Sequence, residues 1–183
     1  LNAYTSTDRT VYRITSVPTA NEAVVDSCML ILHDWASALL LEDAEIDKER
    51  GVIHEEWRLG NAITRMIEKH GAKIYPGSKY GERLPIGTIE VIDNFKYSEL
   101  RDYYTKWYRP DLQGIVVVGD IDVDQMETKI KNLFGAIKMP ENPAPFEYFP
   151  VPDNEKPIFV SYADKEMPAE LVWAFIKYDI LPR

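Results

Sequence analysis

From residue 21 to residue 70 apolar side chains recur at intervals of three and four, which restricts the chain to folds built around long amphipathic helices. Val24, Val25, Cys28, Met29, Ile31, Leu32, Trp35, Ala38 and Leu39 mark a first helix over 21–41. A second is expected over 43–70, with Ile46, Val52, Ile53, Trp57, Ile63, Met66 and Ile67 as its apolar set. Asp43 is its expected cap, and Glu45 falls in the favourable first turn. Lys69 and His70 face the negative end, and Gly71 is expected just past it. Gly51 and Gly60 lie inside this pattern, where each costs about 1 kcal/mol relative to alanine. They are read as points of close packing rather than as a break.

The flanking sequence changes period. Residues 2–6 and 10–17 read as two strands around a Thr7-Asp8-Arg9 turn, ended by Pro18, which has no N–H to give a ladder. Residues 72–94 contain Pro76-Gly77, Tyr80-Gly81 and Leu84-Pro85-Ile86-Gly87 and read as a turn-rich surface segment. A short helix is expected over 98–106, then an apolar strand over 112–118 closed by Gly119-Asp120. Asp122 and Gln125 form a capping-box pair for a helix reaching Phe134, stopped by Gly135, with Met126, Ile130 and Leu133 inward. The proline-rich stretch 138–157 reads as a connector. A strand at 157–162 and an apolar run at 171–176 follow it.

Composition narrows the function classes. The chain has 183 residues and a formal charge of −9, from 30 acidic and 21 basic side chains, which argues against general binding to a nucleic-acid backbone. Cys28 is the single cysteine, so no internal disulfide forms, and it is expected as a buried thiol. No run approaches the roughly 18 apolar residues of a membrane-spanning helix.

Glu49 and Glu56 carry the sharpest chemical signal. Seven residues apart on a helix, they share one face, about 10 Å apart along the axis. Glu56 is a candidate metal ligand on a rigid support, and Val52 and Ile53 lie on the same side. His33, His54 and His70 form no recognisable site, and His54 is turned about 200° from Glu56 around the axis. The sequence holds no His-Glu-x-x-His or its reverse, no Gly-x-Ser-x-Gly, no phosphate loop and no Cys-x-x-Cys. Arg83, in a tight Tyr80-to-Gly87 loop, is a possible partner for a carboxylate or a substrate carbonyl.

The order of these segments resembles the insulinase, pitrilysin and mitochondrial-processing-peptidase family of zinc metallopeptidases. The resemblance runs through Asn2-Ala3-Tyr4-Thr5-Ser6 with Thr10-Val11-Tyr12, and through Glu49-Arg50-Gly51-Val52-Ile53 with Glu55-Glu56. It continues through Tyr80-Gly81 to Pro85-Ile86-Gly87, and through Trp107-Tyr108-Arg109-Pro110 to Val116-Val117-Val118-Gly119-Asp120. It implies an α+β fold, a two-layer sandwich of a mainly antiparallel sheet with packed helices, and a zinc-dependent endopeptidase. In that family an inverted His-x-x-Glu-His supplies two zinc ligands and the catalytic glutamate. The third ligand then falls on Glu56, Glu49 takes a supporting role, and Asn2, Ala3 and Tyr4 form the strand against which an extended peptide docks. The catalytic residues are expected upstream of Leu1 and none within this chain, which alone is expected to be inactive. Residues 1–140 are expected to be the rest of a first peptidase-like domain, 141–155 a linker, and 156–183 the start of a second, homologous domain. The expected partners are a peptide substrate and the remainder of the same protein or a homologous subunit. The alternative is a non-catalytic peptide-binding or assembly subunit of the same fold.

Overall fold

The computed structural model describes residues 1–177, so the last part of the expected second domain, 178–183, lies outside the described residues. Two strands and seven α-helices are present among them: β1 (Asn2–Thr5), β2 (Thr10–Arg13), α1 (Glu22–Ser37), α2 (Asp43–Arg58), α3 (Ala62–Ile74), α4 (Lys79–Glu82), α5 (Ile89–Asn94), α6 (Tyr97–Trp107) and α7 (Val123–Phe134). The chain divides into two compact units, 1–49 with 94–146, and 50–93 with the residues from 147 onward.

In the first unit β1 and β2 form an antiparallel hairpin, with Ala3 opposite Tyr12 and Thr5 opposite Thr10. The Ser6 N–H donates to the Arg9 carbonyl at 2.8 Å, and the Ser6 hydroxyl donates to Asp8, which closes the turn. α1 packs beside α7, with Met29 and Met126 buried and Lys129 reaching both Glu22 and Asp26. The last turn of α1 leaves carbonyls that no helical N–H can reach. Side chains from α6 and just after it meet them: Tyr104 Oη donates to Trp35 O at 2.9 Å, and Gln113 Nε2 to Ala36 O at 3.0 Å. Arg101 likewise holds Leu41 O and the Asp43 carboxylate.

In the second unit α3 and α4 cross at Gly71 and Gly81. A β-carbon on Gly81 would stand 2.7 Å from the carbonyl oxygens of Gly71 and Tyr75, so only glycine permits this approach. Ser78 is 3% exposed and accepts from the Tyr80 N–H to begin α4. Arg65 ties α3 to the later segment through Asp164, at 2.8 and 2.9 Å, and through Glu166 at 2.7 Å.

Several expectations change. The helix expected over 43–70 is two helices, broken at residues 59–61, where the Asn61 side chain accepts from the N–H groups of Ile63 and Thr64 and restarts the coil as α3. A β-carbon on Gly51 would meet no atom within 4 Å, so close packing does not explain this glycine. Gly71 lies inside α3 rather than beyond its end, because its lack of a side chain serves the crossing with α4. Asp43 is the first helical residue rather than the cap, and the Glu42 carbonyl accepts from Ile46. Residues 72–94 contain two short helices as well as turns. Asp122 caps α7 as expected, accepting from Gln125 N at 2.9 Å.

The mainly antiparallel sheet is not seen: among the described residues the only sheet has two strands. Residues 112–118 and 157–162 carry no strand pairing, since a strand exists only where a second backbone completes its hydrogen bonds. Val116 and Val118 are 84% and 90% exposed. Cys28 is half-buried, not buried.

Candidate functional site

The α2 backbone gives Glu49 and Glu56 their shared face, and both carboxylates are exposed. Within the second unit the other side of α2 is tied down. Arg50 donates to the Ile92 carbonyl of α5, and His54 Nε2 lies 2.6 Å from Asp93 Oδ1. Two adjacent glutamates therefore differ sharply. Glu55 accepts from Arg58 Nε and Nη2 at 3.0 and 2.7 Å, and this hydrogen bond holds its carboxyl below the usual range. Glu56 has no hydrogen bond or ion pair among the described residues. Its flanking neighbours on the helix surface, Val52 and Leu59, are 50% and 70% exposed.

In the first unit the hairpin positions Asn2, Ala3 and Tyr4 together on β1, all exposed. The Ser6–Arg9 bond fixes the alternation of the ladder. Asn2 and Tyr4 spend their backbone groups on β2, whereas those of Ala3 and Thr5 face the open edge of β1. The Asn2 side chain already accepts from the Ala3 N–H at 2.8 Å.

Four pairs of residues make a hairpin that is marginal alone, and the aromatic residues beneath it supply the support. The Tyr12 ring lies 5.3 Å from that of Trp35 on α1 and 6.3 Å from that of Tyr108 just past α6. The Tyr12 and Tyr108 hydroxyls lie 2.6 Å apart. Burial, followed by this hydrogen bond, pushes the Tyr12 hydroxyl well above the ordinary phenol range, so it keeps its proton. Alternation alone gives Tyr12 no special standing in the sequence. The signal that could have found it is a large aromatic placed opposite alanine.

Arg83 follows α4 with its backbone N–H bonded to Lys79 O, and its side chain is exposed. Among the described residues no group of three or more His, Cys, Asp or Glu side chains is placed to hold a metal. Zinc in a catalytic centre takes three protein ligands, so the described residues do not by themselves fit a zinc site. No described helix is long and apolar enough to cross a membrane.

Comparison with known proteins gives these features a family. Residues 1–59 match the profile of the insulinase family, peptidase family M16, and residues 94–182 match that of the peptidase M16 inactive domain. The zinc protease PQQL-like of Arabidopsis thaliana is 32% identical over 98% of this chain and 19% of its own length. The probable zinc protease PqqL of Escherichia coli strain K12 is 36% identical over 79% of this chain and 15% of its own. The crystal structure of the first half of the periplasmic protease PqqL from Escherichia coli superposes with a TM-score of 0.75 at 32% identity, covering 84% of this chain and 32% of that one. The chain spans a fifth or less of the length of the two curated relatives. Two profile matches in order, a relative aligned along nearly the whole chain and a shared fold place this chain in peptidase family M16, the insulinase family.

Proposed function

We propose that the protein carrying this chain is a zinc-dependent endopeptidase acting on peptides or unfolded polypeptides. In this reading the chain contributes one metal-ligating carboxylate, Glu56, and one substrate-docking strand, Asn2-Ala3-Tyr4. The observation that carries it is the contrast on α2: Glu55 is satisfied by Arg58, whereas Glu56 has no partner among the described residues and stands among exposed apolar side chains. A carboxylate without a counter-charge on a rigid helix is available to a cation. Zinc, when bound, supplies an activated water for attack on a peptide carbonyl. Its other ligands and the catalytic glutamate come from outside the described residues, so the chain alone is inert. Glu49, seven residues earlier, orients a neighbouring ligand.

The edge of β1 away from β2 offers the Ala3 carbonyl and the backbone groups of Thr5 to an extended peptide, which adds as a further strand once the Ala3 N–H exchanges the Asn2 side chain for it. Residues 1–140 and the segment from 156 then belong to two homologous α+β domains, whose sheets are completed by residues other than those described. Arg83 is a secondary loop contact for a carboxylate or a substrate carbonyl.

The deciding measurement is zinc content of the full-length protein by elemental mass spectrometry, with Glu56→Gln alongside. Near one zinc per chain, lost in the variant, supports the enzyme. Equal zinc content and activity in Glu56→Gln sinks the ligand assignment. No zinc in either, after metal is supplied, favours a non-catalytic peptide-binding subunit of the same fold.

A further inference from the structure

We infer that Tyr12 and Tyr108 form a latch that positions the docking edge of β1, making both tyrosines determinants of peptide affinity although neither lies on that edge. The latch rests on the docking role proposed for Asn2, Ala3 and Tyr4. Ala3 and Tyr12 face each other in the ladder, and the Ser6–Arg9 bond makes theirs a pair without backbone hydrogen bonds. Such pairs bring the two backbones closest, so the position of Tyr12 sets that of Ala3. Thr5 and Thr10, the other pair of this kind, show the same closeness, with hydroxyls 3.2 Å apart.

Tyr12 is in turn held from two sides. Its ring packs against Trp35 of α1, and its hydroxyl meets that of Tyr108 at 2.6 Å. Tyr108 is itself packed on Tyr104 at a ring distance of 4.6 Å, and Tyr104 is bonded to the Trp35 carbonyl. The chain of contacts thus runs from two helices through one hydroxyl pair to the strand opposite Ala3. An added strand makes its ladder of hydrogen bonds only to an edge held in place beforehand, so releasing the latch lowers affinity before it touches any chemistry.

The test uses the full-length protein with Tyr12→Phe, Tyr108→Phe and the double variant, each of which keeps the rings and removes only hydroxyls. KM and kcat are measured with an extended fluorogenic peptide, and hydrogen exchange is followed at the amides of residues 2–13. If the wild type does not cleave, Kd for the same peptide replaces KM. The expected result is a KM or Kd raised about fivefold in either single variant, with kcat unchanged and hairpin exchange faster by a similar factor. The double variant should be no worse than a single one, because the two hydroxyls act as one bond. Unchanged hairpin exchange overturns the latch, and faster exchange with unchanged affinity overturns its role in positioning. A wild type that neither cleaves nor binds the peptide overturns the docking reading and this inference with it. That result appears in the wild type alone, which separates it from failure of the latch.

Discussion

The α3–α4 crossing and the free face of α2 around Glu56 lie in the same compact unit and obey opposite rules. At the crossing, backbone meets backbone at Gly71 and Gly81, and no side chain larger than hydrogen fits. On α2 a charged group, Glu56, stands with no counter-charge among the described residues, beside exposed Val52 and Leu59. The crossing is complete in itself, so its residues are explained by packing. The α2 face is solvated rather than packed, which leaves it open to the metal-ligating role proposed for Glu56. In the proposed reading the crossing and the solvated face therefore answer to different measurements: stability for one, ligand retention and turnover for the other.

The largest expected effect is on the face. Glu56→Gln is predicted to strip zinc and lower hydrolysis by about 100-fold or more, at or above the upper range for residues that merely orient a ligand. Glu49→Gln should cost about 10-fold, as an orienting residue does. Elemental analysis and peptide cleavage on the full-length protein check both, and neither change should alter exchange at the α3 amides.

The crossing should show the reverse pattern. Gly81→Ala forces a methyl group against three backbone atoms and is expected to destabilise α3 by about 1–3 kcal/mol, read as faster exchange of its amides. Gly51→Ala meets nothing within 4 Å and should stabilise α2 by about 0.5–1 kcal/mol. A destabilising Gly51→Ala would mean that the Gly51 side of α2, turned about 140° from Glu56, is covered by something more than solvent.

Acid should loosen the second unit next. The Arg65 hydrogen bonds, then the Glu166 N–H, hold the Asp164 carboxyl well below its ordinary range. The Asp164 side chain is 11% exposed against 73% for Glu166, which makes Asp164 the stronger partner. A carboxyl depressed in the folded state contributes its full stabilisation above the unfolded pKa, about 3.9, and loses it as pH falls toward the folded value. Exchange at α3 should therefore be flat down to about pH 4 and rise below it, and Asp164→Asn should remove this acid dependence. The smallest effect belongs to Glu55→Gln, which breaks an exposed pair with Arg58 and should leave zinc content and cleavage unchanged.

Much of this is legible in the residues. Apolar periodicity locates α1, α2 and α7, and Asp122 announces the start of α7 through its own side chain. Periodicity hides the break between α2 and α3, because apolar residues continue on both sides of it. The signal there is Asn61, a capping residue immediately after Gly60. Gly71 reads as a terminus because glycine serves equally for a left-handed cap and for close approach, and only the position of Gly81 separates them. Residues 112–118 read as a strand because valine favours one, yet a strand is a property of two segments, and among the described residues no segment pairs with them. For the site, sequence spacing places Glu49 and Glu56 on one face, and it also gives Arg58 to Glu55, three residues away on the helix, rather than to Glu56, only two away. The Tyr12–Tyr108 pair joins residues 96 apart in sequence and is invisible in it for that reason.

The aromatic support of the hairpin also makes it an optical reporter. Tyr12, Trp35, Tyr104 and Tyr108 hold fixed, tilted ring geometries, the arrangement that gives aromatic chromophores circular dichroism in the near ultraviolet. The far-ultraviolet spectrum is dominated by the helices and is nearly blind to a hairpin of four residue pairs. Lifting the hairpin off its support would dim the first signal and spare the second, so light alone can report whether the strand is seated.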